Sequence, residues 1–137
     1  PASSFDHPSM LFALRLRDFV IVDDAQIDFS TGFNVLSGET GAGKSILIDA
    51  LLLALGGRAD ASSVRDGATR ADIVAEFTVD ARVGRWLAER DLAGDEGVVL
   101  LRRVVDADGR SRAFVNGHPS TMAQLRELGE ALVDIHG

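Results

Sequence analysis

The residues best equipped for chemistry lie together at Gly38-Glu39-Thr40-Gly41-Ala42-Gly43-Lys44-Ser45, which holds the only lysine among fourteen basic side chains. Their spacing fits G-x-x-x-x-G-K-[ST], a loop that cradles phosphates. Gly38, Gly41 and Gly43 let the backbone turn tightly and bring successive N–H groups onto phosphate oxygens. A helix starting there adds its positive N-terminal end. Lys44 offers the β- and γ-phosphates a compact, mobile ammonium, where a planar guanidinium fits less well. The Ser45 hydroxyl is the expected ligand for Mg²⁺. The expected nucleotide-contacting set is therefore Gly38, Glu39, Thr40, Gly41, Ala42, Gly43, Lys44, Ser45 and Ile46, with Lys44 as the catalytic member.

Such a loop works only between a strand and a helix. Residues 32–37 read as a turn and then a short apolar strand entering the loop. Residues 46–55 read as a buried helix stopped by Gly56-Gly57. That order is the one the mechanism requires, and an incidental lysine in a glycine-rich turn would not bring it along. The sequence implies a nucleoside triphosphate ligand.

Around this unit, strands dominate. Residues 11–22 alternate, with Leu14 and Leu16 on one face and Arg15 and Arg17 on the other. Asp23-Asp24 is expected to form a polar turn, after which Ala25, Ile27 and Phe29 face inward on a second strand. Residues 56–70 read as a long polar loop. Ile73, Ala75, Phe77 and Val79 mark a third strand, and residues 81–90 a helix with Val83, Trp86 and Leu87 on its apolar side. Trp86 at that spacing is a core anchor rather than a platform for a base. Residues 98–105 and 112–115 form two strands joined by a hairpin turn at Asp106-Ala107-Asp108-Gly109. Asn116-Gly117 opens another turn. Ser120 or Thr121 caps a helix carrying Met122, Leu125 and Leu128, and residues 132–135 read as a final short strand.

Composition sets the limits. With 137 residues, 46% of them hydrophobic, the chain is one domain's worth and can bury a core. It contains no cysteine, which excludes a disulfide scaffold and a thiolate metal site. His7, His118 and His136 are too scattered to suggest a metal site of their own. The longest apolar run, residues 46–55, is too short to span a bilayer, and no signal peptide opens the chain, so a cytoplasmic location is expected. Residues 1–9 are polar and aperiodic and read as a leading tail, with Met10 as the natural start. The net charge of −7 argues against a free-standing nucleic-acid clamp. The pairs Arg15/Arg17, Arg102/Arg103 and Arg110/Arg112 read as solvent faces of strands rather than DNA contacts.

One phosphate-loop strand and helix amid many antiparallel strands is not the alternation of a GTPase-like fold. A GTPase also needs Asn-Lys-x-Asp for base selection, and neither Asn34 nor Asn116 precedes lysine. The segments Leu14-Arg15-Leu16-Arg17-Asp18-Phe19-Val20-Ile21-Val22, Ala25-Gln26-Ile27-Asp28-Phe29 and Gly32 through Ile46 resemble the N-terminal head segment of SMC-like ATPases, and most of all the bacterial RecN family. Leu55-Gly56-Gly57-Arg58-Ala59-Asp60, the run Asp108-Gly109-Arg110-Ser111-Arg112-Ala113-Phe114-Val115-Asn116-Gly117, and Leu132-Val133-Asp134-Ile135-His136-Gly137 extend the resemblance over residues 10–137.

The resemblance implies an α/β fold: one lobe of an ABC-type ATPase head, with mixed and antiparallel strands around the phosphate-loop strand and helix. It implies ATP and Mg²⁺ as ligands. The partners it implies are the protein's own C-terminal head lobe, a second head in a homodimer, and DNA in the full protein. It also implies action in double-strand break repair and recombination, and a cytoplasmic, nucleoid-associated location. RecN-like heads place a glutamine after Ile-His-Gly, and this chain stops at Gly137. It also lacks the signature segment and an apolar run ending in the Asp-Glu pair that positions water. Alone, the chain is expected not to hydrolyse ATP. SMC-like heads carry an arginine after the phosphate-loop helix that approaches nucleotide or senses DNA, which makes Arg65 the preferred candidate. The alternative for Arg65 is a surface ion pair with Asp60 or Asp66. Two other functions stay open at this point. A transporter nucleotide-binding subunit commonly stacks adenine on an upstream aromatic, often tyrosine. This chain has no tyrosine, and Phe19 could substitute, but the strand Asp18-Phe19-Val20-Ile21 resembles the SMC-like pattern and disfavours that reading. A non-catalytic module switched by nucleotide is the second.

Overall fold

The computed structural model describes residues 9–29 and 41–133. Among the described residues the alternating stretches form six strands: β1 (Met10–Phe19), β2 (Val22–Asp28), β3 (Arg70–Thr78), β4 (Val98–Asp106), β5 (Ser111–Val115) and β6 (His118–Ser120). They make one sheet in the order β2-β1-β3-β4-β5-β6, and each neighbouring pair is antiparallel. Among the described residues three α-helices accompany it: α1 (Gly41–Ala54), α2 (Ala81–Glu89) and α3 (Met122–Leu132).

Period-two patterning explains which face is covered. Leu14 and Leu16 of β1, Ala71, Ile73, Ala75 and Phe77 of β3, Leu101 and Val105 of β4, and Ala113 and Val115 of β5 are all buried. Ala50, Leu53 and Ala54 of α1 and Leu125, Leu128 and Leu132 of α3 join the same core. Each fully buried leucine or isoleucine contributes about 1.5–3 kcal/mol, so this face holds the helices to the sheet. The other face carries Arg15, Arg17 and Arg102 in the open.

Local signals start and stop the helices. Asp80 caps α2 by accepting from the Val83 N–H at 3.0 Å. Thr121 caps α3 in a reciprocal box with Gln124, both bonds 3.0 Å. Trp86 ties the two helices together. Its indole N–H donates to Glu127 at 3.1 Å while Arg90 lies 4.1 Å over its ring.

Several expectations are corrected. The turn between β1 and β2 falls at Val20-Ile21, not at Asp23-Asp24, which lie within β2. The cause is a third segment. The Val20 N–H donates to the Ser63 carbonyl at 2.9 Å, the Arg65 N–H donates to the Asp18 carbonyl at 2.8 Å, and Phe19 bridges to Val64. These contacts hold Asp18 and Val20 in left-handed backbone (φ 52° and 57°) and let an apolar pair occupy the turn. The polar 56–70 loop is thus pinned, with a short 3-10 helix at Ala61–Ser63 and β3 starting at Arg70. Helix α1 starts at Gly41, inside the phosphate-loop motif, rather than at Ile46. Leu132 ends α3 instead of starting a strand, and residues 134–135 lie outside the described residues. So does the expected strand at 32–37. β6 was not expected; it pairs Ser120, Pro119 and His118 with Ala113, Phe114 and Val115.

Candidate functional site

The first turn of α1 is Gly41-Ala42-Gly43-Lys44, and it contains no acidic residue. A helix end has four backbone N–H groups without intrahelical partners and a partial positive charge. A carboxylate in the first turn would oppose an incoming anion; here there is none. Lys44 and Ser45 are both exposed. The chain thus offers an ammonium and a hydroxyl one residue apart at the positive end of a 14-residue helix. A polyphosphate with a hard divalent cation fits this donor set, because the cation takes oxygen ligands and the phosphates take N–H and ammonium donors. Of the expected site, Gly41, Ala42, Gly43, Lys44, Ser45 and Ile46 fall together on this helix start. Gly38, Glu39 and Thr40 lie outside the described residues.

The Arg65 guanidinium is 3.6 Å from Asp18 and 3.8 Å from Asp23, beside the β1–β2 turn. The ion pair is of the kind weighed above, but with other partners than Asp60 or Asp66. Asp60 instead caps the 3-10 helix, accepting from the Ser62 N–H at 2.8 Å and from the Ser62 hydroxyl. Those bonds hold its carboxyl below the usual aspartate range.

The far end of α1 is fixed in an unexpected way. Gly56, at φ 104°, and Gly57 close the helix: the Gly57 N–H donates to the Leu52 carbonyl at 2.8 Å and the Gly56 N–H to the Leu53 carbonyl at 3.1 Å. Arg103 completes the closure. It is 2% exposed, not on a solvent face as expected. One terminal nitrogen donates to the carbonyls of Leu53 and Gly57, both at 2.8 Å, and the other to the Ser111 hydroxyl at 3.1 Å. Burial and the nearby Arg126 push its pKa down. Parity could have revealed it, because Val99, Leu101, Arg103 and Val105 occupy one face of β4 and the other three are buried.

The remaining basic pairs behave as expected of a solvent face. Arg15 pairs with Asp24 at 3.4 Å, Arg102 with Asp72 at 2.6 Å, Arg110 with Asp108 at 3.0 Å and Arg112 with Asp106 at 3.2 Å. On α1, Ile48 and Leu52 stay more than half exposed, at 56% and 55%. Leu52 joins Val20, Asp49, Arg58 and Ser63 in lining a groove of about 240 Å³ between α1 and the β1–β2 turn. No helix among the described residues is long and apolar enough to cross a membrane.

Comparison with known proteins adds independent findings. The family model for the AAA domain matches residues 13–119. The chain is 47% identical over 131 residues to the DNA repair protein RecN of Vibrio cholerae, covering 93% of this chain and 23% of that protein. It is 48% identical over 132 residues to RecN of Xylella fastidiosa, with the same shares covered. Among solved structures, one from work on ATP-driven dimerization and DNA-stimulated activation of SMC ATPases superposes with a TM-score of 0.71 at 27% identity. That match covers 90% of this chain and 79% of the other. The chain therefore spans about a quarter of the length of these RecN relatives.

Proposed function

This chain belongs to the AAA-domain family, in its RecN group, and on that premise we propose that residues 10–137 are the N-terminal lobe of an ATP-binding head. The whole protein is an SMC-like ATPase of DNA double-strand break repair and recombination, in which ATP binding drives two heads together. The observation that carries this reading is the start of α1, where Lys44 and Ser45 stand open on an acid-free turn inside the phosphate-loop motif.

The chemistry follows from the residues. Lys44 neutralises charge on the β- and γ-phosphates, and the first N–H groups of α1 hold the oxygens in place. Ser45 supplies one ligand for Mg²⁺, which when bound neutralises charge shared between phosphates. Phosphoryl transfer depends on positioning and electrostatic stabilisation rather than on covalent chemistry by the protein. Lys44 and the α1 turn supply half of that arrangement. A group that orients water and a segment that caps the nucleotide from the far side come from the C-terminal lobe and a second head.

The outward side of α1 supports this split. A helix that is apolar on both sides belongs in an interior, and Ile48 and Leu52 are exposed, Leu52 in the groove it shares with Val20. The C-terminal lobe of the same protein covers them. Arg65 is the candidate sensor of nucleotide or DNA. Its exposed pair with Asp18 and Asp23 is worth only about 0–1 kcal/mol, so a phosphate can displace it. In the full protein, Arg65→Ala lowers DNA-stimulated turnover more than ATP affinity. Location is cytoplasmic and nucleoid-associated.

The test is hydrolysis by parts. The purified 137-residue chain shows negligible ATP turnover, and adding the C-terminal lobe restores it, rising more steeply than linearly with head concentration. Robust turnover by the chain alone, linear in concentration and abolished by Lys44→Ala, would overturn the reading.

A further inference from the structure

Arg103 is a buried charge whose hydrogen bonds go to two carbonyls and a hydroxyl, none of them to a carboxylate. Its Nε has no partner. Burying a charge without a counter-ion is costly, and an apolar residue of similar size often serves stability as well or better. Stability alone therefore does not explain an arginine at this position in β4. What the guanidinium does is join three elements. From the middle of the sheet it reaches the last turn of α1 through Leu53, the chain beyond it through Gly57, and β5 through Ser111.

We propose that Arg103 is a positioning residue for the phosphate-binding end of α1. It clamps the negative, C-terminal end of the helix to the sheet, where a cation is favoured, and so fixes where Lys44 and Ser45 stand. The lever is long. Nine residues separate Lys44 from Leu53, about 14 Å of helix. A tilt of about 4° at the clamp moves the Lys44 backbone by about 1 Å, and misplacement on that scale can cost a hundredfold in a reaction that depends on alignment. The same end is also pressed by α3, where Gly129 lies against the Leu55 carbonyl and Gly56 against Arg126. Loosening the clamp therefore lets the whole rod shift rather than merely fray its end. The proposal rests on the nucleotide reading for what is positioned, but the clamp itself can be tested without nucleotide.

In the full-length protein, Arg103→Met, Arg103→Lys and a control, Asn116→Ala, are compared by amide hydrogen exchange and by ATP calorimetry. Asn116 is chosen because its side chain bonds to Leu92 and Leu100, neither of them a residue of α1. Arg103→Met speeds exchange over residues 44–52 at least tenfold without nucleotide and raises the ATP Kd at least tenfold. Arg103→Lys recovers most of both, since its ammonium still donates to the Leu53 and Gly57 carbonyls. Asn116→Ala lowers the thermal midpoint and speeds exchange in the sheet and the helices alike, but leaves exchange in α1 relative to that in β3, and the Kd, within twofold. Equal effects from Arg103→Met and Asn116→Ala, or unchanged α1 exchange in Arg103→Met, would overturn the proposal. If Arg103→Met does not fold, Ser111→Ala takes its place with a rise of about threefold in α1 exchange, and no change there would overturn it equally. A wild-type protein without affinity for ATP retires the nucleotide reading, while the exchange data still decide the clamp.

Discussion

Replacing Asn116 tests how the sheet is held at the end of β5. Its backbone sits at φ 51°, in the left-handed region. Its side chain accepts from the Leu100 N–H at 2.9 Å and donates to the Leu92 carbonyl at 2.8 Å. Asn116→Ala leaves both backbone groups without partners in a partly buried place, at about 1 kcal/mol each toward the low end of that range. It also puts a side chain that cannot bond locally into left-handed backbone, at about 1–2 kcal/mol. The total is about 3–4 kcal/mol, a large share of the roughly 5–15 kcal/mol that holds a domain folded. Asn116→Gly loses the same two bonds but not the backbone strain, so its loss is about 1 kcal/mol smaller. Urea unfolding followed by fluorescence reads both, since Trp86 is the only tryptophan and is bonded to Glu127 across α2 and α3. A loss below about 1 kcal/mol in both variants, or a larger loss for glycine than for alanine, refutes the reasoning.

Gly129→Ala and Gly84→Ala differ in sign. A Cβ at Gly129 meets the Leu55 carbonyl, so α3 must lift off α1 at about 1–3 kcal/mol. A Cβ at Gly84 meets nothing within 4 Å, and alanine there stabilises α2 by about 0.5–1 kcal/mol; thermal melts of the two variants check both. For pH, the Asp60 carboxyl is held low by its bonds from Ser62. A depressed folded pKa means that the cap is fully formed above the unfolded value and is lost as pH falls through the folded one. The Ser62 amide resonance therefore titrates with a midpoint below that of an ordinary aspartate, and Asp60→Asn abolishes the step. A midpoint at or above the ordinary value contradicts the cap.

The sequence was legible wherever one physical rule acted alone. Leu14, Leu16, Ile73, Ala75 and Phe77 alternate because one face of β1 and β3 is covered by helices and the other is open, and period two follows directly. Thr121 and Gln124 announce the start of α3 by a local exchange of hydrogen bonds. Misreadings came where a distant segment intervenes. Asp23-Asp24 looks like a turn by type, yet both residues fit an edge strand, where Asp24 forms an ion pair with Arg15 and Asp23 with Arg65. The true turn at Val20-Ile21 exists because Ser63, Val64 and Arg65 bond to it from more than forty residues away. Arg103 was misread because its type outweighed its parity. The candidate site was legible for a different reason. A helix start that binds phosphate needs residues contiguous in sequence, so the proposed set Gly41 through Ser45 can be named without the rest of the fold.

The most direct test of the central claim is calorimetry of Mg²⁺-ATP binding to wild type and Lys44→Ala. Lys44 is exposed on the first turn of α1, so its truncation leaves the fold intact, and on the proposed reading it removes one charge-assisted contact to phosphate. The account predicts affinity weaker by about 1.5–3 kcal/mol, roughly ten- to a hundredfold and more in Kd, with an unchanged thermal midpoint. Equal affinities for the two proteins would contradict it.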